Sequence, residues 1–201
     1  MDPDAYLCQL AEIFNGISVN TPSLSAIIAI ILAGLLLLAS GFASASEIAF
    51  FSLSPSDLND IEEGNHPSDG KISNLLADSE RLLATILITN NFVNVTIIML
   101  CNFFFMNVFV FHSPLAEFLI LTVILTFLLL LFGEIMPKIY SAQKTLAFCR
   151  FSAPVIYMLR KVFAPISAVL VHSTAFLNKH FAKKNHNISV DELSHALELT
   201  D

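Results

Sequence analysis

The sequence predicts an all-α integral membrane protein: three transmembrane helices, juxtamembrane interfacial helices and the start of a cytoplasmic acidic helix. Three observations predict it. Of the 201 residues, 55% are hydrophobic and only 13% are charged, against about 25% charged in a typical soluble domain. The apolar residues gather in runs that reach the roughly 20 residues a membrane-spanning helix needs, and mean hydropathy is +0.72. The basic residues are also one-sided. None precedes Lys71, and with three crossings and the N-terminus outside, all 10 fall on the cytoplasmic side or its interface, which is the positive-inside bias. The net charge of −7 does not weigh against this, because Asp and Glu contribute little to that rule. No nucleic-acid partner is expected; the lipid bilayer is.

The elements follow in order. Residues 1–22 are polar and mixed, ending at Thr21-Pro22, and read as an outer segment. The first span covers about 24–51. Its inner part, Ala39-Ser40-Gly41-Phe42-Ala43-Ser44-Ala45-Ser46-Glu47, is almost all small residues, which let helix backbones approach closely in lipid. Ala43-Ser44-Ala45 resembles a signal-peptidase site. However, a signal peptide begins with a basic segment and this chain begins with Asp2 and Asp4, so the helix is expected to be retained.

Residues 54–80 read as a cytoplasmic helical loop. Ser54-Pro55-Ser56-Asp57 has the form of a helix start, with a serine N-cap, proline in the first turn and an acid at the positive dipole end. Glu63-Gly64-Asn65-His66-Pro67 breaks that helix, and a second short one leads to Asp78-Ser79-Glu80. The second span, about 82–111, carries Asn90, Asn91, Asn94, Asn102 and Asn107. Pro114 marks the turn to the third span, about 116–136, which has no charge from Phe118 to Phe132 and ends in Gly133-Glu134-Ile135-Met136-Pro137-Lys138. Residues 138–181 alternate apolar stretches with Lys and Arg, and contain Pro154 and Pro165. They read as helices on the inner membrane surface, not as a fourth crossing, which would carry Lys179, Lys183 and Lys184 outside. Residues 23–181 thus form the membrane domain. Residues 182–201 read as a linker and, from the capping box at Ser189-Val190-Asp191-Glu192, the start of an acidic helix.

The chemistry concentrates at one depth. At about 1.5 Å per residue, Asn90 lies roughly 13 Å from the inner edge, Ser40 roughly 24 Å and Glu134 roughly 27 Å from the outer edge of an approximately 30 Å core. Three segments therefore place polar groups in the inner half. Ser40 and Ser44 share a helix face, as do Asn90 and Asn94, each pair being four apart. Carboxylates in lipid persist where they pair, bind an ion or face a wet cavity. Pro137 removes the donor for the carbonyl of Gly133. Hydroxyl, amide oxygen, carbonyl and carboxylate are hard donors suited to Mg²⁺, Ca²⁺ or Na⁺ and poorly suited to zinc or copper. The candidate metal ligands are Ser40, Ser44, Asn90, Asn94, Gly133 and Glu134. The competing reading is helix glue: Asn and Ser joining neighbouring helices, and Glu134 pairing with Lys138 one turn on. Glu47 is placed to snorkel, to find a basic partner or to line an ion path. Asn91 and Asn102 read as packing residues, His112 as an interfacial loop residue, and Cys8, Cys101 and Cys149 as buried or lipid-facing residues without a metal spacing. No enzyme motif is present: there is no His-Glu-x-x-His and no serine with an evident base.

In order, Ser40 to Glu47, Thr89-Asn90-Asn91-Phe92-Val93-Asn94 and Gly133 to Lys138 resemble the three signatures of the CNNM/CorC transmembrane domain. The resemblance covers about residues 24–201. Within the family the chain resembles most the gliding-motility-associated GldE-type members of Bacteroidetes. The resemblance implies a homodimer with three transmembrane helices in a bacterial inner membrane, N-terminus outside and C-terminus cytoplasmic. It implies export of Mg²⁺, or Co²⁺, driven by Na⁺ entry, with Ser40, Ser44, Asn90, Asn94, the Gly133 carbonyl and Glu134 holding the ion. It further implies paired ATP-binding CBS domains in the full-length protein, absent from this chain. An accessory protein of a motility or secretion assembly, without transport, is the alternative.

Overall fold

The computed structural model describes residues 18–110 and 114–171. The expected outer segment up to residue 17, the turn at His112, the linker and the acidic helix lie outside the described residues. Three helices are long and apolar enough to cross a membrane. The first, α1, is Leu24–Phe51. After two short helices, α2 (Pro55–Glu62) and α3 (Asp69–Leu76), comes the second, α4 (Ser79–Val108). The third, Glu117–Gln143, is composite: α5 (Pro114–Leu128), a π-helical segment (Leu129–Ile135) and α6 (Met136–Gln143). The chain continues as α7 (Thr145–Val162) and α8 (Ala164–Val171). With 28, 30 and 27 residues, each long helix measures about 40–45 Å, longer than the hydrocarbon core, so each is tilted or emerges into the interface.

The helices are packed inside out relative to a soluble bundle. On α1 the buried face is Ala26, Ala29, Ala33, Ser40, Gly41 and Ser44, while Ile28, Ile31, Leu35 and Leu38 are 57–72% exposed. Lipid tails solvate large aliphatic side chains as well as a protein core does, so close backbone approach through small residues brings the helices together.

Local signals set most of the ends. The Ser23 Oγ accepts from the Ala26 N–H at the start of α1. Ser54 and Asp57 form the reciprocal capping box of α2, and Gly64 ends that unit with φ +70°, a conformation that favours glycine. Asp78 Oδ1 accepts from the Arg81 N–H, so α4 begins at Ser79, ahead of the expected residue 82. It ends at Val108 because Phe109 and Val110 leave the helix to pair antiparallel with Val19 and Ser18. That two-residue pairing, extended by the Asn20 N–H donating to the Val108 carbonyl, ties the entry of α1 to the exit of α4. Two-residue strands have no periodicity to read, and none was expected here.

The third span also departs from expectation, running through Pro137 to Gln143 instead of stopping at 136. The π segment is the reason. The Met136 N–H donates to the carbonyl of Leu131, five residues back, and Pro137 then sits in the first turn of α6, where a missing N–H costs little. Beyond it, α7 and α8 meet at an 80° bend and form two rods instead of one straight crossing. The face of α7 that carries Phe151, Val155, Met158 and Val162 is exposed, and the face with Cys149, Ser152, Ala153 and Ile156 is buried.

The buried face of α7 closes the end of the bundle that carries the basic residues, its inner end on the sidedness their placement predicts. Ala49 and Phe50 of α1, Ile61 of α2, Ile72 and Leu75 of α3, Leu82 and Ile86 of α4, and Cys149, Ala153 and Ile156 form one apolar cluster. Burial pushes the Cys149 thiol up to about 12. One ion pair staples this layer. Asp69 is fully buried, and Arg150 donates from Nε to Oδ1 at 2.8 Å and from Nη2 to Oδ2 at 3.1 Å, while the His66 N–H adds a bond of 2.9 Å. The Arg150 bond holds the Asp69 carboxyl below its ordinary value, against the opposing effect of burial.

Two outcomes follow for this layer. Ile72→Ala empties a site with no exposure and should lower stability by about 2–5 kcal/mol, read from thermal unfolding in detergent. Because the Asp69 carboxyl is lowered in the folded state, its stabilisation is complete above the ordinary carboxylate range and is lost as pH falls through the lower folded value. Wild type should therefore exceed Asp69→Asn in melting temperature at neutral pH, with the gap closing in acid; a pH-independent gap would count against this.

Candidate cation site

The small-residue stretch of α1 is the point on which the other two spans converge. Ser40 has no solvent exposure. Its hydroxyl lies 2.9 Å from the Asn90 Oδ1 and 2.6 Å from the Asn94 Oδ1 as donor to both. One proton serves two acceptors, so three oxygens from two helices crowd a single point. Asn90 and Asn94 are one turn apart and half-buried, and the four-residue spacing turns both amides toward α1.

The third span closes the other side. A Cβ on Gly133 would stand 3.1 Å from the Ser40 Oγ, and a Cβ on Gly41 would stand 2.9 Å from the Pro137 Cγ and 3.3 Å from the Phe132 carbonyl oxygen. The π segment therefore lies directly on Ser40-Gly41, glycine against side chain in both directions. Pro137 has no N–H to give Gly133 in an α register or Phe132 in the π register, and the Phe132 carbonyl is the one found against Gly41. One turn inward, the Ser141 hydroxyl donates to the Ala45 carbonyl at 2.6 Å, fixing α6 on α1 at the same register.

Two candidate ligands make no bond of their own. Ser44, one turn inward of Ser40 on the same face, is fully buried, and its Oγ has no hydrogen-bond partner among the described residues. Its neighbour Ser46 donates to the Phe42 carbonyl at 2.7 Å, the usual way a serine satisfies itself in a lipid-embedded helix. Glu134, next to Gly133, is half-buried and carries neither ion pair nor hydrogen bond among the described residues. The sequence left Lys138 as its competing partner, but the Lys138 Nζ lies 3.0 Å from the Glu47 Oε2, joining α6 to α1. Asn91 donates to the carbonyl of Leu87, four residues back, as a residue outside the site.

The structure thus brings Ser40, Asn90, Asn94 and Gly133 together, places Ser44 one turn further along the same face, and puts Glu134 beside Gly133 without a cation of its own. Ser141 and the Glu47–Lys138 pair hold the frame and were not among the expected site residues. No spacing rule could find the hydroxyl of Ser141, because it reaches across 96 residues. The donor set is all oxygen and carries one formal charge, which fits a hard cation. Among the described residues no three His, Cys, Asp or Glu gather into a metal cluster.

Comparison with known proteins places these residues in a family context. The chain matches the family described as "Cyclin M transmembrane N-terminal domain" (CNNM) over residues 30–201, a range that includes all six candidate ligands. It is 32% identical over 130 residues to a UPF0053 protein of Haemophilus influenzae (strain ATCC 51907 / DSM 11121 / KW20 / Rd), a match covering 65% of this chain and 30% of that relative. The chain thus corresponds to under a third of the relative's length.

Gly41→Ala should push the third span off the first, since the Cβ would meet a proline ring carbon and a backbone oxygen that cannot rotate away. The expected cost is about 1–3 kcal/mol in thermal stability, measured against Gly34→Ala, whose Cβ would meet nothing within 4 Å.

Proposed function

We propose, on the premise that this chain belongs to the Cyclin M (CNNM) transmembrane-domain family, that it carries the ion path of a Mg²⁺ exporter. The observation that carries this reading is the convergence of the Ser40 hydroxyl with the Asn90 and Asn94 amide oxygens beside Gly133, with the buried Ser44 hydroxyl left without a partner. Mg²⁺ wants about six oxygens at roughly 2.0–2.1 Å and gives up water reluctantly. A site that strips it needs donors already gathered. Here Ser40 satisfies the two amides when no ion is present. When an ion arrives, the Ser40 proton turns away, and hydroxyl and amide lone pairs replace water molecules. Ser44 adds a second hydroxyl, Glu134 the compensating charge, Gly133 its carbonyl, and Phe132 the carbonyl that Pro137 leaves without a donor in the π register. One carboxylate among neutral oxygens binds without trapping, as passage requires.

Entry of Na⁺ down its gradient supplies the driving force in this proposal, and Co²⁺ is a second cargo of the same oxygen site. The proposed setting is a bacterial inner membrane with the basic residues inside, a homodimer, and a full-length protein that continues into ATP-binding CBS domains. The Ser40 bonds by themselves also suit the accessory-protein reading, in which polar groups only join helices. Ser44 favours the transport reading, because it joins no other helix among the described residues.

The test is Mg²⁺ flux in proteoliposomes of the full-length protein, with and without a Na⁺ gradient. Glu134→Ala should reduce flux to background while elution volume and melting temperature stay near wild type. Ser44→Ala should be neutral in stability, since it deletes an unbonded buried hydroxyl, yet weaken Mg²⁺ binding by isothermal titration. Full flux in Glu134→Ala, or unchanged binding in Ser44→Ala, would overturn the assignment.

A further inference from the structure

The outer half of the bundle contains polar groups that the site does not use. A groove of about 360 Å³ runs between α4 and α5, lined among others by Asn102, Glu117, Thr122 and Thr126. At about 1.5 Å per residue, Thr126 lies roughly 10 Å and Glu117 roughly 24 Å outward of Gly133. The groove therefore occupies the outer part of the membrane, on the far side of the bundle from Lys138.

Its polar side chains behave differently from the others on α4. There a hydroxyl or amide outside the candidate site turns back onto its own helix: Thr85 donates to the Arg81 carbonyl, Thr89 to Thr85, Thr96 to Phe92, Asn91 to Leu87 and Asn107 to Phe103. Asn102, Thr122 and Thr126 make no such bond among the described residues, though all three are exposed and all three face this groove. A free amide and two free hydroxyls facing hydrocarbon would each be costly; facing water, they cost nothing. Glu117 adds a carboxylate at the outer end. Inward, the groove is shut off from Ser40 by buried Ala33, Ile97 and Leu125, which lie outward of the ion site along each helix.

We infer that this groove is a water-filled outer vestibule through which the cation leaves, with Glu117 drawing it outward and the Ala33–Ile97–Leu125 plug closed in the conformation described here. The inference rests on the transport reading for its cargo, but its wetness can be tested without transport. Asn102 thereby changes role from packing residue to vestibule lining.

The experiment uses the full-length protein in membranes, with native cysteines replaced and single cysteines introduced. Thr122→Cys and Thr126→Cys are probed with a charged, membrane-impermeant thiosulfonate added on the side opposite the basic residues. The reference is Val123→Cys, which is 66% exposed next in sequence but off the groove. Only the thiolate reacts, and hydrocarbon disfavours the charged form, so the groove cysteines should label about tenfold or more faster than the reference. Mg²⁺ on that side should slow labelling of Thr122→Cys, and the protection should vanish when Glu117→Gln is added. Labelling no faster than at Val123→Cys, or only from the basic side, overturns the vestibule. So does a disulfide between two Thr122→Cys copies, which assigns the groove to an interface. Fast labelling and Mg²⁺ protection in a protein that shows no Mg²⁺ flux would uphold the vestibule and remove the exporter reading instead.

Discussion

Two helices approach closely where one presents a glycine to a small side chain of the other, and the membrane domain depends on one such contact. Ser40-Gly41 of the first span meets Phe132, Gly133 and Pro137 of the third at separations that leave no room for a Cβ on Gly41 and only a tight fit, 3.1 Å from the Ser40 Oγ, for one on Gly133. Hydrophobic burial cannot supply this contact, because lipid offers apolar side chains the same environment. What holds it is close packing of small residues, a hydroxyl donating across from Ser141 to Ala45, and an ion pair from Lys138 to Glu47. All three anchors lie within two turns along α1. They fix the rotation of the third span about its axis, and that rotation decides which carbonyls of the π segment face inward.

The π segment is the local cost of this arrangement. An unbroken α-helix through Pro137 would clash at the preceding turn and leave one carbonyl without a donor. Widening the helix to i→i+5 bonding over Leu129–Ile135 lets the span continue to Gln143, so that Lys138 and Ser141 reach the first span. Such bulges are frequent at functional sites. Here the same seven residues include Gly133 and Glu134, so the distortion and the candidate ligands coincide.

The inner layer has a different physical basis. Helices α2, α3 and α7 bury aliphatic side chains around Ile72, Leu75 and Ile156 as a soluble domain does, and a buried carboxylate meets a guanidinium in a two-pronged bond. A buried pair of this kind is weak evidence for stability, but it fixes α3 on α7 in a single orientation. Phe42, two residues from Ser40, has its ring 5.9 Å from those of Phe148 and Phe151. The inner layer is thus in direct contact with the helix that carries the candidate site, on the side opposite the Ser40 face.

The sequence by itself determined the three spans, the sidedness of charge, the capping of α2, and two polar pairs at one depth. Hydropathy, caps and four-residue spacing act within a single helix and can be read in a window. The family was legible for the same reason, since its motifs are contiguous. Only the tertiary structure decided that Ser40 donates to both asparagines while Ser44 donates to none, that Lys138 takes Glu47 and leaves Glu134 alone, and that Asp69 finds Arg150 across 81 residues. Only there, too, does the third span run past its proline, and do Asn102 and Thr122 share a groove. Each of these depends on how one helix is rotated and shifted against another. That relation is set by small-residue contacts and side-chain bonds between distant segments, and no stretch of a single helix contains it.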